Sequence, residues 1–518
     1  MSVVLTEHLP LLATAPDGIQ KLRGLILELA VRGKLVPQDP NDEPASELLK
    51  RIARERVRLG SHTTREKNKV TPLVCQDEVP FLLPTTWAWT RLGEVTTFGQ
   101  TDKDGEITEA TWVLDLEDIQ KDTSVLLQKV RFAERQAKSD KNRFQIGDVL
   151  YGKLRPYLNK VIVADEDGVC TTEILPVRGY LGILPRFLMY ALKRPDFLAY
   201  VNAKSYGMKM PRLGTDDGRF ALFPLAPEGE QHRIVAKVDE LMALCDRLEA
   251  EQAGAEAAHA KLVESLLDTL TRRTDAADLA ANWQRLAEYF DTLFTTESGL
   301  DVLKQTILQL AVMGKLHEGT SDGWEAKRLD KVCSDIVDCP HSTPKWTATG
   351  KICVRTSQFK PGKLDLSDCR FVSESTFAER IARLKPAADD ILYSREGGIL
   401  GVACRVPPGA EICLGQRMML LRPGSQIASA FLELVLNSPM ITEIARQNTT
   451  GGAAPRVNVS TVKAYPIPVP PLSEQHRIVA KVDELMALCE QIKGDLAESR
   501  SRQARLATTL IESALEAA

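Results

Sequence analysis

The chain has no apolar run approaching the ~20 residues that span a bilayer, so no membrane helix is expected. Its opening stretch, MSVVLTEHLPLLATAPDG, lacks the basic segment of a secretory signal. The ten cysteines show no paired spacing, a usage that fits the reducing cytoplasm better than a disulfide framework. Cys333, Cys339, His341 and Cys353 lie in one region. No C-x2-C pair accompanies them and their spacing matches no common zinc module, so no metal is expected and residues 339–344 read as a recognition loop. There is no G-x-x-x-x-G-K-[ST] phosphate loop. Also missing are the Asn-Pro-Pro-Tyr or Asp-Pro-Pro-Tyr element of amino-methyltransferases, a glycine-rich turn for S-adenosylmethionine, and a carboxylate–lysine nuclease cluster. These absences point to a binder without chemistry of its own: not an enzyme, with no catalytic residues.

What is present is ordinary in bulk and unusual in arrangement. The 518 residues are 44% hydrophobic and 26% charged, as in globular proteins, and their number suggests three or four structural units. The formal net charge of −4 is unevenly spread. Residues 81–227 carry 20 Lys/Arg against 19 Asp/Glu, and residues 323–471 carry 19 against 14. Two neutral-to-basic blocks thus sit on an acidic remainder, the asymmetry expected if the blocks face nucleic acid.

The arrangement is a duplication. EQHRIVAKVDELMALC occurs at 230–245 and again, letter for letter, at 474–489, each time after a proline-rich lead-in. Proline is expected to stop the preceding strand and start a helix. Ile234, Val238, Leu241, Cys245 and Leu248 follow alternating spacings of four and three, as do Ile478, Val482, Leu485, Cys489 and Ile492. That is the seam of a coiled coil, and the two stripes are expected to bury against each other. From His232 to Leu270 such a helix would run roughly 58 Å. A second repeat pairs GIQKLRGLILELAVRGKL at 18–35 with GLDVLKQTILQLAVMGKL at 299–316, its glycines suited to a helix C-cap. A third aligns the block openings at Trp87 and Trp324, and a fourth aligns Gly147-Asp148-Val149-Leu150-Tyr151 with Asp389-Asp390-Ile391-Leu392-Tyr393. Each block then predicts a helix, Pro185 to Val201 and Ser429 to Arg446, and a basic Gly-containing loop, 204–212 and 448–456. Residues 36–80 have no counterpart, and 50–69 read as a charged helix end and flexible linker. Shared frames with divergent interiors suit a device that reads two different things.

These motifs, the duplicated E-Q-H-R-I-V-A-K-V-D-E-L helix start, the G-K-L pair, the W-x-x-x-R-L-G-E-V opening and the G-D-V-L-Y-G-K strand, resemble the specificity subunits of type I restriction–modification enzymes over nearly the whole chain. The resemblance implies an α+β fold: two globular α/β target-recognition domains separated by long antiparallel coiled-coil helices, with internal pseudo-twofold duplication. The expected divisions are 1–80, N-terminal helical region and linker; 81–227, first recognition domain; 228–322, central helical region; 323–471, second recognition domain; 472–518, C-terminal helix. The resemblance further implies double-stranded DNA as ligand, each domain reading one half of a bipartite asymmetric site. Two methyltransferase subunits, and restriction/translocase subunits through them, are the implied partners. S-adenosylmethionine, ATP and Mg would sit on those partners and no cofactor on this chain.

Base readout uses Arg and Lys on guanine and Asn or Gln on adenine, carried by loops or helix starts. The candidates in the first block are Lys153, Arg155, Asn159, Lys160, Lys204, Tyr206, Lys209 and Arg212. Those in the second are His341, Lys345, Arg395, Arg417, Arg446, Asn448 and Arg456. His232, Arg233 and Lys237, with their repeats His476, Arg477 and Lys481, are the candidate partner contacts. Glu230 and Glu474 are expected to favour the helix dipole. Two other readings compete: a fused restriction–modification enzyme, which lacks its motifs here, and a coiled-coil scaffold whose blocks bind proteins.

Overall fold

The computed structural model describes residues 12–58, 72–102, 106–135, 141–272, 276–316, 324–451 and 455–517. The chain forms two compact units, one of residues 1–254 with 500–518 and the other of residues 255–499. Among the described residues no helix is long and apolar enough to cross a membrane.

In the first unit, helix α1 (Gly18–Val31) buries Leu22, Leu25, Ile26 and Leu29. It ends as the sequence predicts: Gly33 takes φ 68° and the Lys34 N–H bonds the Leu29 carbonyl at 2.9 Å. Helix α2 (Ala45–Arg58) buries Leu48 and Ile52. The expected charged helix end is therefore present, pinned by an Arg56–Glu94 ion pair at 2.6 Å, while residues 59–71, which hold the rest of the expected linker, lie outside the described residues. The sheet-bearing domain of this unit opens on β1 (Ala88–Arg91). Its centre is an antiparallel sheet of β2 (Val149–Gly152) between β3 (Val161–Val163) and β4 (Ile174–Val177). A second, four-stranded sheet includes Trp112–Leu114 parallel to Gly168–Thr171. The expected single helix is two, α3 (Pro185–Lys193) and α4 (Pro195–Lys204), because Pro195 forces Arg194 into extended backbone.

The domain closes on β5 (Leu222–Leu225), paired antiparallel with β1 so that Trp89 faces Pro224. The proline thus sits inside a strand and does not stop it. A two-stranded sheet leaves each strand an unpaired edge, where a missing N–H costs nothing. Helix α5 (Glu228–Arg272) follows at once.

The second unit repeats the plan. Helix α6 (Glu297–Val312) ends on Gly314, φ 69°, with the Lys315 N–H on the Leu310 carbonyl at 2.9 Å. Strand β6 (Glu325–Arg328) precedes β7 (Cys333–Asp338), β8 (Ile391–Ser394), β9 (Ala403–Arg405) and β10 (Met418–Pro423), which form one antiparallel sheet in the order β7-β10-β8-β9. Helices α7 (Ser429–Asn437) and α8 (Pro439–Gln447) are again split at a proline. Strand β11 (Pro466–Val469) pairs with β6, and helix α9 (Leu472–Ala517) completes the chain.

Helix α5 begins in the first unit and ends in the second, and α9 does the reverse. In the first unit, Lys21 of α1 reaches the Ala504 carbonyl and Thr508 of α9, and Arg23 forks to Asp246 and Glu249 of α5. In the second, Lys304 of α6 meets Glu490 of α9 at 2.5 Å. The apolar stripes of the repeated stretch go into separate cores. Ile234, Val238, Leu241 and Cys245 join the cluster containing Leu22, Ile26 and Phe187. Ile478, Val482 and Cys489 join the one containing Leu303, Ile307 and Phe431.

The letters Glu-Gln at the head of each repeat latch helix to domain. Buried Glu230 accepts the Trp87 indole N–H at 2.8 Å and Gln38 at 2.6 Å, and burial pushes its carboxyl up from its ordinary range. Glu474 accepts from Trp324 at 3.3 Å. Gln231 accepts from the Leu184 N–H and donates to the Gly182 and Ala226 carbonyls. Gln475 accepts from Ala428 and donates to Gln426 and Pro470. A buried amide so satisfied leaves little freedom to substitute, which accounts for the identity of the two copies here better than a helix-dipole role.

Candidate nucleic-acid interface

Each unit builds one loop pair on the sheet that carries the duplicated acidic turn. Asp148 and Asp390 are buried, and each takes a two-pronged arginine, Arg178 at 2.7 and 2.9 Å and Arg422 at 2.8 and 2.7 Å. The turn before them is left-handed in both, Gly147 at φ 85° and Asp389 at φ 68°, which explains why aspartate can stand where glycine does. From this anchor β2 and β8 run out to the loops.

In the first unit the loop after β2 is stitched to the loop after α4. Arg155 N–H bonds the Pro211 carbonyl at 2.7 Å, Leu213 N–H the Lys153 carbonyl at 3.0 Å, and Tyr206 and Arg212 exchange backbone bonds at 3.0 and 2.9 Å. The second unit has the same stitches. Gly397 bonds Pro455 at 2.9 Å, Val457 bonds Arg395 at 2.9 Å, and Thr450 and Arg456 exchange bonds at 2.9 Å. The backbone frame is therefore one design used twice, while the side chains it holds differ.

Arg155 and Asn159 are left-handed at φ 51° and 48°, and so is Arg417 at φ 68°. Non-glycine residues in that region carry strain that functional sites tolerate. Lys153 and Arg155 are half-buried, while Lys204, Tyr206 and Lys209 are exposed. Lys160 turns inward to the Leu116 carbonyl at 2.6 Å. Arg212 is held by Glu173 at 3.1 Å, and that bond raises its pKa.

In the second unit Arg417 stands where Glu173 does in the first. The Arg395 N–H bonds the Arg417 carbonyl at 3.1 Å as Lys153 N–H bonds Glu173 at 3.0 Å. Arg417 and Arg456 are both exposed, with no ion pair recorded for either among the described residues, and the Arg417 guanidinium lies 3.5 Å from where a Gly397 β-carbon would stand. Arg446 is exposed, and Asn448 closes α8 on the Ile444 carbonyl at 2.8 Å. Lys345 is exposed beside Trp346. His341 is exposed, 3.2 Å from Asp338.

Arg395 is a correction to the sequence reading. It is 5% exposed and forks onto Asp338 at 2.9 Å on both prongs, so it has no free donor face for a base. Burial alone would lower its pKa, and the Asp338 bonds more than offset that. Among the helix candidates, His232, His476, Arg477 and Lys481 are exposed. Arg233 turns to Asp42 at 2.6 Å, and Lys237 and Lys481 pair with Glu240 and Glu484 on their own helices. Cys339 and Cys353 fall in separate cores, and no group of three His, Cys, Asp or Glu among the described residues could hold a metal. Tyr157, Met208 and Met210, which are not among the residues the sequence picks out, are all exposed on the first loop pair. The signal was there: large apolar letters inside a lysine-bearing turn.

Two copies of one loop-bearing frame, each displaying its own side chains, are the fold of a two-headed recognition protein. Residues 321–498 match the family described as the type I restriction modification DNA specificity domain. The chain is 31% identical over 560 aligned residues to the type I restriction enzyme EcoAI specificity subunit of Escherichia coli, covering 96% of this chain and 94% of that one. It is 31% identical to the EcoEI specificity subunit of the same organism at the same coverage. A solved structure described as the structural basis of complex assembly and conformational transition of the type I R-M system aligns with TM-score 0.55 and 22% identity, over 84% of this chain and 99% of that one. The chain belongs to the type I restriction enzyme specificity subunits, which recognise DNA sequence and are not catalytic.

Proposed function

We propose that the loop pair of each unit reads one half of a bipartite, asymmetric duplex DNA site, and that α5 and α9 fix the gap between the halves. In the first unit the readers are Lys153, Arg155, Asn159, Lys204, Tyr206, Lys209 and Arg212. In the second they are Lys345, Arg417, Arg446, Asn448 and Arg456, with His341 beside them. The exposed faces of the repeated helices, through His232, His476, Arg477 and Lys481, dock two methyltransferase subunits that carry S-adenosylmethionine. Restriction/translocase subunits using ATP and Mg join through that core. The observation that carries this reading is the pair of identically stitched loop frames with different side chains. A device for two different half-sites needs the same scaffold and different contacts. The test is a gel-shift titration of the assembled complex against random duplexes, followed by selection and sequencing of the bound fraction. A two-part motif with an unread gap is expected. Binding without sequence preference overturns the reading.

A further inference from the structure

The two loop pairs differ in more than charge. The first carries four large apolar side chains in water: Tyr157 at 45% exposure, Tyr206 at 62%, Met208 at 104% and Met210 at 47%. The corresponding stretch of the second, Thr450 to Arg456, reads T-G-G-A-A-P-R and has no large apolar residue. Single exposed apolar residues need no explanation, but three in five positions of one loop do.

The loop has a fixed base. Tyr206 and Arg212 are bonded across it in both directions, Arg212 is tied to Glu173, and Ser205 Oγ donates to the Val201 carbonyl at 2.6 Å. Gly207, at φ 102°, makes the turn, and a β-carbon there would meet the Met210 carbonyl at 3.1 Å. Met208 is thus held outward at the tip of a braced turn, between the exposed cations Lys204 and Lys209. An apolar tip flanked by cations matches duplex DNA, whose base steps are apolar once unstacked and whose phosphates line both sides.

We propose that the 205–211 loop is a wedge: Met208, supported by Tyr206, inserts between two stacked base pairs of the first half-site and kinks the duplex there. This rests on the proposed DNA reading of the first unit. It adds that the first half-site is selected partly by how readily one base step unstacks, while the second is read by its arginines.

The test uses the chain assembled with its methyltransferase subunits and duplexes bearing the motif methylated in cells. The adenine analogue 2-aminopurine is placed in turn at each step of the first half-site, omitting the methylated base. The wild-type complex is expected to raise its emission at one step. Met208→Ala, at a fully exposed position, is expected to abolish that rise and weaken binding by at least about tenfold. A duplex with a single-base bulge at the same step should restore binding by the variant. The wedge is overturned if Met208→Ala binds the intact duplex as wild type does, if the bulge gives no rescue, or if the variant fails to assemble with its partners. No sequence-specific binding by the wild-type complex would instead overturn the underlying DNA reading.

Discussion

Replacing Arg417 by glutamate rebuilds in the second unit the ion pair that the first already has. Glu173 meets Arg212 at 3.1 Å, and Arg417 holds the equivalent place in the backbone frame, its carbonyl accepting from Arg395 as that of Glu173 accepts from Lys153. The substitution removes one free guanidinium and offers the other an internal carboxylate. A two-pronged arginine–guanine contact contributes about 1–3 kcal/mol of discrimination, about 5- to 150-fold in Kd. Losing one such contact sets the expected floor, and losing Arg456 to the new partner adds up to as much again, short of full additivity because the two are neighbours. Arg417→Gly is the control. It suits the left-handed backbone at φ 68°, removes only its own side chain, and should show the smaller effect. The assay is anisotropy of the assembled complex on labelled duplexes substituted base by base and titrated with salt. A log–log salt slope shallower by about 0.9 with unchanged base preference assigns Arg417 to a phosphate. An unchanged slope with relaxed preference at one position of the second half-site assigns it to a base. An Arg417→Glu complex with wild-type affinity, slope and preference would remove Arg417 from the DNA interface.

Three further outcomes concern stability. Gln231→Ala removes three hydrogen bonds at the helix–domain latch and leaves the half-buried Leu184 N–H and two carbonyls without their partner, so it should destabilise by roughly 3 kcal/mol, seen as a lower urea midpoint. Gly33→Ala forces a β-carbon into φ 68° and to 2.5 Å from Pro84, costing at least about 1–2 kcal/mol, with thermal melting as the check. Lys193, bonded to the Asp122 carbonyl at 2.8 Å, is pushed down by burial to about 8. Its folded pKa lies below its unfolded one, so between pH 8 and 10.5 only the unfolded chain holds the proton and stability rises with pH. Relative to Lys193→Met, the wild type should gain about 1.4 kcal/mol per pH unit across that window, and a flat difference in urea unfolding would contradict the burial of the charge.

The repeats carried the architecture because duplicated letters mark positions that packing or hydrogen bonding holds twice. Gly33 and Gly314 were legible as caps since a left-handed C-cap strongly favours glycine. The two-unit plan followed from the order of the repeats. What escaped were pairings between residues far apart in sequence. Nothing near Arg395 announces Asp338, which takes it out of the surface. Nothing near Arg212 announces Glu173, so equivalent arginines of the two loop pairs looked alike when one is held and the other free. Proline misled twice, inside β5 where an edge strand tolerates it, and at 195 where it divides a helix. The acidic turn was legible as a turn but not as a buried arginine anchor, since Arg178 lies thirty residues on.

On the proposed reading the two units recognise their half-sites independently. That independence is measured by the methylated motif in cells whose chain carries, in place of residues 84–223, the equivalent block of a relative. A motif changed in one half, with the other half and the gap retained, is expected. A motif changed in both halves contradicts it.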